Sequence, residues 1–464
     1  MNFIADTVPV RPVPSTKVPG MLKIIKGIHK DLIGVWPEQA YRMKYSLLKL
    51  GRYSLYIANS PDTVEHVFVR NNQNYNRKSI FMRQALEPLL GDGLFISEGG
   101  TWQQRRAMEE PGFKPAHLRN FAKIMTECAI EWRQRWATNS ADKPIPMLSE
   151  MAALTAEVLC RCLFGRHLGR HNADSIITGF SRYQAVVRHV DLATILKLPA
   201  WLPRLSSNRK AVAMAMQIHE VVDHIIAAQL HGNGEQHTLL AHMLNYYIPG
   251  DPDSVTLQQI RNEIVVLLMA GHETTANSLS WTWYLLAEHP RVAQCLQAEL
   301  DSVLGDRIPT FEDVPRLSYT RAVFEEAMRL YPPVPVLSRE AIAEDQVGKH
   351  HIPKGTLVVV APWLLHRHRE YWDHPDHFIP ERFTGAWSTK SLKYTYLPFS
   401  TGPRNCLGAA FGLTEAILVL AVLAGKFDPI IQPGHRPGYE CRLTLRPSQN
   451  LPMIARLRHK TAGT

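Results

Sequence analysis

Residues 256–289 constrain the fold more than any other segment. They open with Thr256 and Gln259 in the Thr-x-x-Gln spacing of a capping box, where a hydroxyl and an amide satisfy the first backbone N–H groups, and they stop at Pro290. About 33 residues at 1.5 Å each make a helix of roughly 50 Å. Such a helix crosses a whole domain, so the rest of the chain must be arranged around it.

Two more amphipathic helices follow with short connections. One runs from Pro290 to near Gly305, and the other, "SYTRAVFEEAMRL", is stopped by Tyr331, Pro332 and Pro333. The period then changes: "PVLSRE", "HHIPKGTLVVVAPW" and "RLTLRPSQNLPMIARLR" read as short strands, with Pro353, Lys354 and Gly355 as a hairpin turn. Near the other end "RYSLYIAN" also alternates like a strand, so one small sheet should gather both ends of the sequence. The expectation is a mainly α fold with a small β region, residues 1–464 forming one domain with no internal repeat.

Composition excludes several classes. With 464 residues, 45% of them hydrophobic, the chain can bury a large core. Its 52 Lys and Arg against 42 Asp and Glu give +10, yet no block of like charges marks a nucleic-acid arm, and the excess suits an acidic protein partner. Six cysteines in so long a chain neither staple a secreted fold nor form zinc knuckles, which suits a reducing, cytoplasmic setting. The first twenty residues hold four prolines and no signal-peptide pattern. The longest uninterrupted apolar run, residues 416–424, falls short of the roughly 20 needed to cross a bilayer, so a soluble monomer without a transmembrane anchor is expected.

The chemistry concentrates in "YLPFSTGPRNCLGAAFG", residues 396–412. Gly402 permits a turn that other residues avoid, and Gly408 lets a bulky planar group approach Cys406. A helix beginning there would favour a thiolate suited to a metal. Phe399 could cover the sulfur and Arg404 could meet a carboxylate. A cysteine before a helix is ordinarily just buried, but Phe399, Gly402, Arg404, Cys406 and Gly408 together in FxxGxRxCxG spacing arise by chance on the order of one in ten thousand times, so the bland reading gives way.

This stretch resembles the signature of the cytochrome P-450 family of haem-thiolate monooxygenases, and the chain resembles the family's soluble bacterial members. The resemblance implies the family's fold, with the long helix crossing haem b, and Cys406 as the iron ligand. "AGHETT", Ala270 to Thr275, looks like the oxygen-binding segment: Ala270 and Gly271 would open room for O2, Thr274 would hydrogen-bond it, and Glu273 would help relay protons. Glu326 and Arg329 in "FEEAMRL", with Arg382 in "PERF", match the family's structural charge network. Trp102 and Arg106 in "TWQQRR", with Arg339 and Arg404, would hold the haem propionates, and Arg105 competes with Arg106 for that place.

No GxGxxG or phosphate loop is evident, so electrons should reach the haem from NAD(P)H through a ferredoxin or flavodoxin and its reductase. Arg105, Lys114, Arg119 and Lys123 are candidates for the docking patch. By position in the family, residues 79–95, Leu268, Ala270, residues 334–337 and the turn at Leu445 line a pocket for a hydrophobic molecule: a terpenoid, a steroid or a fatty acid, hydroxylated or epoxidised. Residues 192–205 read equally as a mobile lid or as a core helix and loop. A haem-thiolate peroxygenase and a non-catalytic haem sensor or ligand carrier are the alternative functions.

Overall fold

A computed structural model describes residues 7–18, 20, 27, 31–50, 53–138, 143–165, 178–180, 182–183, 207–233, 235–385 and 393–458. The lid candidate at 192–205 lies outside them. The described helices are α1 (Pro61–Glu65), α2 (Ile80–Leu90), α3 (Gly99–Glu109), α4 (Pro115–Thr138), α5 (Met147–Phe164), α6 (Ser207–Ala228), α7 (Leu239–Leu244), α8 (Leu257–Glu288), α9 (Pro290–Leu304), α10 (Ser318–Leu330), α11 (Pro362–Leu365) and α12 (Ala409–Ala424).

The long helix ends where its capping residues place it. Thr256 Oγ1 accepts from Gln259 N–H at 3.2 Å, and Gln259 Oε1 accepts from Thr256 N–H at 3.0 Å. Pro290 then opens α9, which closes at Gly305 with φ +61°. Helix α8 packs against α5, α6, α10 and α12 and is buried on most sides. Its middle is rich in hydroxyls, and Thr274, Thr275, Ser278, Ser280 and Thr282 each donate to the carbonyl four residues back at 2.7–3.2 Å. Those polar groups thus need no partner in the surrounding core. Helix α12 is mostly apolar, as befits a helix enclosed by the same core, and Glu415 is its one charged residue, also buried.

Strands β1 (Tyr45–Leu50), β2 (Tyr53–Ala58), β7 (Leu357–Val360) and β4 (Leu337–Glu340) form one sheet in the order β1-β2-β7-β4. The β2–β7 pair is parallel, Leu55 opposite Leu357, so the sheet does join the early and late parts of the chain. A smaller core around Tyr56, Val64, Phe68 and Val358 lies under this sheet, apart from the main helical core. A second sheet, in the order β3-β11-β8, joins β3 (Ile145–Pro146), β11 (Pro452–Leu457) and β8 (Phe427–Ile431).

The hairpin expected at Pro353, Lys354 and Gly355 is not one. The turn exists, with Gly355 at φ +77°, but β6 (His350–Ile352) pairs backward with β5 (Asp345–Val347), while β7 joins the larger sheet. Gly355 N–H donates to Ala341 O and leads the chain away from its neighbour. The remaining pair is β9 (Tyr439–Cys441) with β10 (Leu445–Pro447).

One described stretch, Arg209–Gly232, is long and apolar enough by length and composition to cross a membrane. Within it Ala211, Ala215, Ile218, Val222 and Ile226 form one buried stripe, the pattern of a helix laid on a core. At the N-terminal end, Val10 N–H donates to Tyr284 Oη (3.1 Å), Tyr331 Oη donates to Val10 O (2.7 Å), and Arg11 meets Asp376 at 3.1 Å.

Candidate active site

The loop before α12 is shaped around Cys406. Gly402 has φ +76°, and a Cβ there would collide with the Phe68 carbonyl, so no other residue fits. Cys406 N–H donates back to the Phe399 carbonyl at 2.9 Å, closing the loop, and Asn405 N–H donates to Gly402 O at 3.0 Å. The Phe399 ring lies partly buried against the main core. Cys406 is exposed, while a Cβ on Gly408 would meet only open space, so the loop leaves the room beside the sulfur that a planar group requires. Helix α12 starts at Ala409, just past the cysteine. Although the residue is exposed, protein packed around it keeps water from the sulfur and raises the Cys406 thiol, opposed by the Gly408 N–H and by Arg106. A metal cation bound at the sulfur would favour the thiolate.

Behind this loop stands the charge network. Each of the five N–H donors of Arg329 has an acceptor. These are Glu326 Oε2 (2.6 Å), Glu326 Oε1 (2.7 Å), and the carbonyls of His366 (2.7 Å), Pro375 (2.7 Å) and His377 (2.9 Å). Arg382 reaches Glu326 Oε1 at 3.3 Å and donates to the carbonyls of Asp373 and His374. All three charged residues are buried, and Trp372 lies under both guanidinium groups. His366 extends the network: its carbonyl takes Arg329, and its ring Nε2 takes the N–H of Leu397, two residues before Phe399. Burial, Arg329 and Arg367 push its pKa down to about 3, which keeps that nitrogen an acceptor.

On the cysteine's other flank three cations crowd together. Arg339 and Lys78 are buried. Burial pulls all three pKa values down: Lys78 further through Arg339 and Arg404, Arg339 to about 9 with help from Arg404, and Arg404 to about 10 against the opposing pull of Glu98. Arg404 lies over the Trp102 ring (5.2 Å) and donates to the carbonyls of Asn76 and Leu94, Arg339 donates to Ser338 O, and Lys78 lies over Phe95 (4.5 Å). No ion pair joins any of them to a carboxylate among the described residues. Buried like charges held together are stable only against an anion. Two carboxylates of a planar group seated on Cys406 answer that requirement, so these residues fit a haem.

Arg106 is placed differently from its expected propionate role. It donates to Asn405 O (3.0 Å) and Asn405 Oδ1 (3.2 Å) and pairs with Glu110, bracing the cysteine loop itself. Its competitor Arg105 is turned away into the protein, against Asp92 (2.6 Å) and Glu263 (3.1 Å). At 1% exposure Arg105 cannot belong to a docking surface, which corrects that expectation. Burial and the adjacent Glu263 raise the Glu109 carboxyl well above its ordinary range. Lys114, Arg119 and Lys123 are exposed, Arg119 pairing with Glu312 at 2.6 Å.

The expected oxygen-binding segment, residues 270–275, is the middle of α8. Ala270 is partly exposed, and its carbonyl accepts from Thr274 Oγ1 at 2.8 Å. Glu273 accepts at Oε1 from Thr444 Oγ1 at 2.7 Å. His272 is buried with its Nδ1 bonded to Leu268 O, in keeping with a packing role. Gly271 has a use the sequence did not show: a Cβ there would meet Leu159 Cδ2 of α5 at 2.8 Å, so the glycine admits a neighbouring helix. Sequence reasoning also missed Lys78, His366 and Thr444, single residues without a recurring spacing.

The chain is similar to known proteins over most of its length. The Cytochrome P450 family profile matches residues 35–451. Cyclooctatin synthase of Streptomyces melanosporofaciens is 32% identical over 414 residues, 87% of each chain. Cyclooctat-9-en-7-ol 5-monooxygenase of the same organism is 29% identical over 83% of each chain. Putative cytochrome P450 132 of Mycobacterium tuberculosis is 29% identical over 86% of this chain and 87% of its own. The crystal structure of the cytochrome P450DA heme domain superposes with a TM-score of 0.77 at 25% identity, covering 90% of each chain. The chain belongs to the cytochrome P450 family. It is a haem-dependent monooxygenase, using O2 and electrons that originate from NAD(P)H and arrive through redox partners.

Proposed function

We propose that this monooxygenase inserts one oxygen atom into an unsaturated carbocyclic molecule of the terpenoid class, with electrons delivered by a ferredoxin or flavodoxin. Support for the substrate class comes from a relative whose name specifies a cyclic alkenol, and from the aliphatic residues expected around the site: Leu268, Val334, Val336, Leu337 and Leu445. The observation that carries the reaction type is Cys406, exposed at the end of a loop that only Gly402 can close.

Cys406 Sγ would hold the haem iron, and Lys78, Arg339, Arg404 and Trp102 would hold its propionates. The haem, once bound, supplies oxygen activation and receives the electrons one at a time. Thr274 already donates its hydroxyl to Ala270 O, so its oxygen remains an acceptor and can retain a proton-bearing group at the reaction site. Glu273 moves protons inward through its carboxylate. Apolar walls orient the substrate and exclude bulk water. Arg119 and Lys123, one turn apart on α4, and Lys114 just before it would meet the acidic redox partner.

The experiment is spectroscopic. Reduced protein treated with carbon monoxide should show the red-shifted band of a thiolate-bound haem, and Cys406→Ala should abolish it. A wild-type protein without that band, or a Cys406→Ala variant that keeps it, would overturn the reading.

A further inference from the structure

Glu273 is held by a residue outside every motif named above. Thr444, in the turn between β9 and β10, is buried, and its hydroxyl donates to the Glu273 carboxylate at 2.7 Å. The turn is itself fixed: Leu445 N–H donates to Pro333 O (3.0 Å), Trp281 Nε1 donates to Leu445 O (3.4 Å), and Arg442 N–H donates to Thr444 O (3.1 Å). Trp281 lies about two turns beyond Glu273 on α8, so helix and hairpin are tied at two points on one side. The second tie is fully buried, with Trp281 stacked on Tyr331 at 3.8 Å. A hydroxyl carried on so anchored a turn has a fixed position.

Successive helix residues point about 100° apart, so the neighbours Glu273 and Thr274 address different directions. Thr274 turns back to the Ala270 carbonyl, while Glu273 leans toward the hairpin. A glutamate side chain carries up to about 2 kcal/mol of rotamer freedom, and the Thr444 hydroxyl bond limits the places its carboxylate can take.

We propose that Thr444 is a positioning residue for Glu273. Its hydroxyl fixes the carboxylate against the hairpin and so determines where the acid takes up protons from water and where it passes them on. The proposal rests on the monooxygenase reading above. It makes the β9–β10 turn part of proton delivery as well as part of the substrate wall.

The test uses haem-loaded protein carrying Thr444→Val, Thr444→Ser, Glu273→Gln and the Val/Gln double substitution. Two quantities are measured: the infrared carboxylate bands, and NADPH-driven oxygen consumption with a plant-type ferredoxin and its reductase, in H2O and in D2O. The band lost in Glu273→Gln identifies the acid; it should shift in Thr444→Val and return in Thr444→Ser. Thr444→Val should lower kcat about tenfold, as expected for losing one hydrogen bond to a charged group. Its solvent isotope effect should rise and its KM for ferredoxin should stay unchanged. Thr444→Ser should recover the rate, and the double variant should be no slower than Glu273→Gln. An unmoved band, a Ser variant as impaired as Val, or additive losses would each overturn the proposal. A wild type that lacks the thiolate carbonyl band and consumes no oxygen would instead refute the function reading, taking the proton role with it, while the infrared comparison still decides the Glu273–Thr444 contact.

Discussion

His366 shows how one side chain transmits order from the charge network to the cysteine loop. It works only while neutral, since a protonated ring would confront the Leu397 N–H with another donor beside Arg329. Its native pKa is pushed down to about 3, against 6.5 ordinarily. Between those values the unfolded chain binds a proton that the native protein refuses, so native stability falls as pH drops through this window and is unaffected by this residue above it. The limiting slope is about 1.4 kcal/mol per pH unit. His366→Gln should be less stable at neutral pH yet show a flatter loss of thermal midpoint from pH 6.5 to 4; parallel curves for variant and wild type would remove this explanation. Glu326, Arg329 and Arg382 were legible because their spacing recurs in a family. His366 was not, because a single histidine carries no spacing and its role exists only once residues 329 and 397 meet in space.

Among the elements, α8 and α5 illustrate what a glycine can conceal. Gly271 reads as room for oxygen, yet its missing side chain is filled by Leu159, which is buried and has little space in which to turn. Gly271→Ala gains about 1 kcal/mol of helix propensity and incurs about 1–3 kcal/mol of overpacking. A net destabilisation of up to about 2 kcal/mol is expected, and it should vanish or reverse in a Leu159→Ala background. Thermal midpoints of the four proteins measure this, and equal penalties in both backgrounds would show that Leu159 is not the obstacle. Helix ends were readable because Thr256, Gln259, Pro290 and Gly305 carry local signals. Strand partnerships were not: the turn at Gly355 looks the same whether its flanks pair with each other or, as here, join different sheets. Strand β1 escaped notice because Tyr45, Leu47 and Leu48 are exposed and spoil the alternation.

Across the whole molecule, distant parts of the chain are joined by a few specific contacts. The β2–β7 pair does this for the sheet, and Val10 with Arg11 does it for the helical body. Removing residues 1–11 deletes two hydrogen bonds to Val10 and the Arg11–Asp376 ion pair, roughly 2–4 kcal/mol together. The thermal midpoint should fall by several degrees while the carbonyl band keeps its position; loss of the band would mean that the strap also shapes the haem site. Nothing local in "MNFIADTVPVRPVPSTKVPG" announces this attachment, because its partners belong to other segments.

The Val10 seat has a consequence for synthesis. Tyr284, its earlier partner, is translated 274 residues after it, and Tyr331 is later still. The Val10 segment therefore leaves the ribosome long before either partner, and the nascent polypeptide must carry it undocked until both have emerged. A tag fused ahead of Val10 travels with that late step, so its influence should be felt in the yield of mature protein before it is felt in turnover.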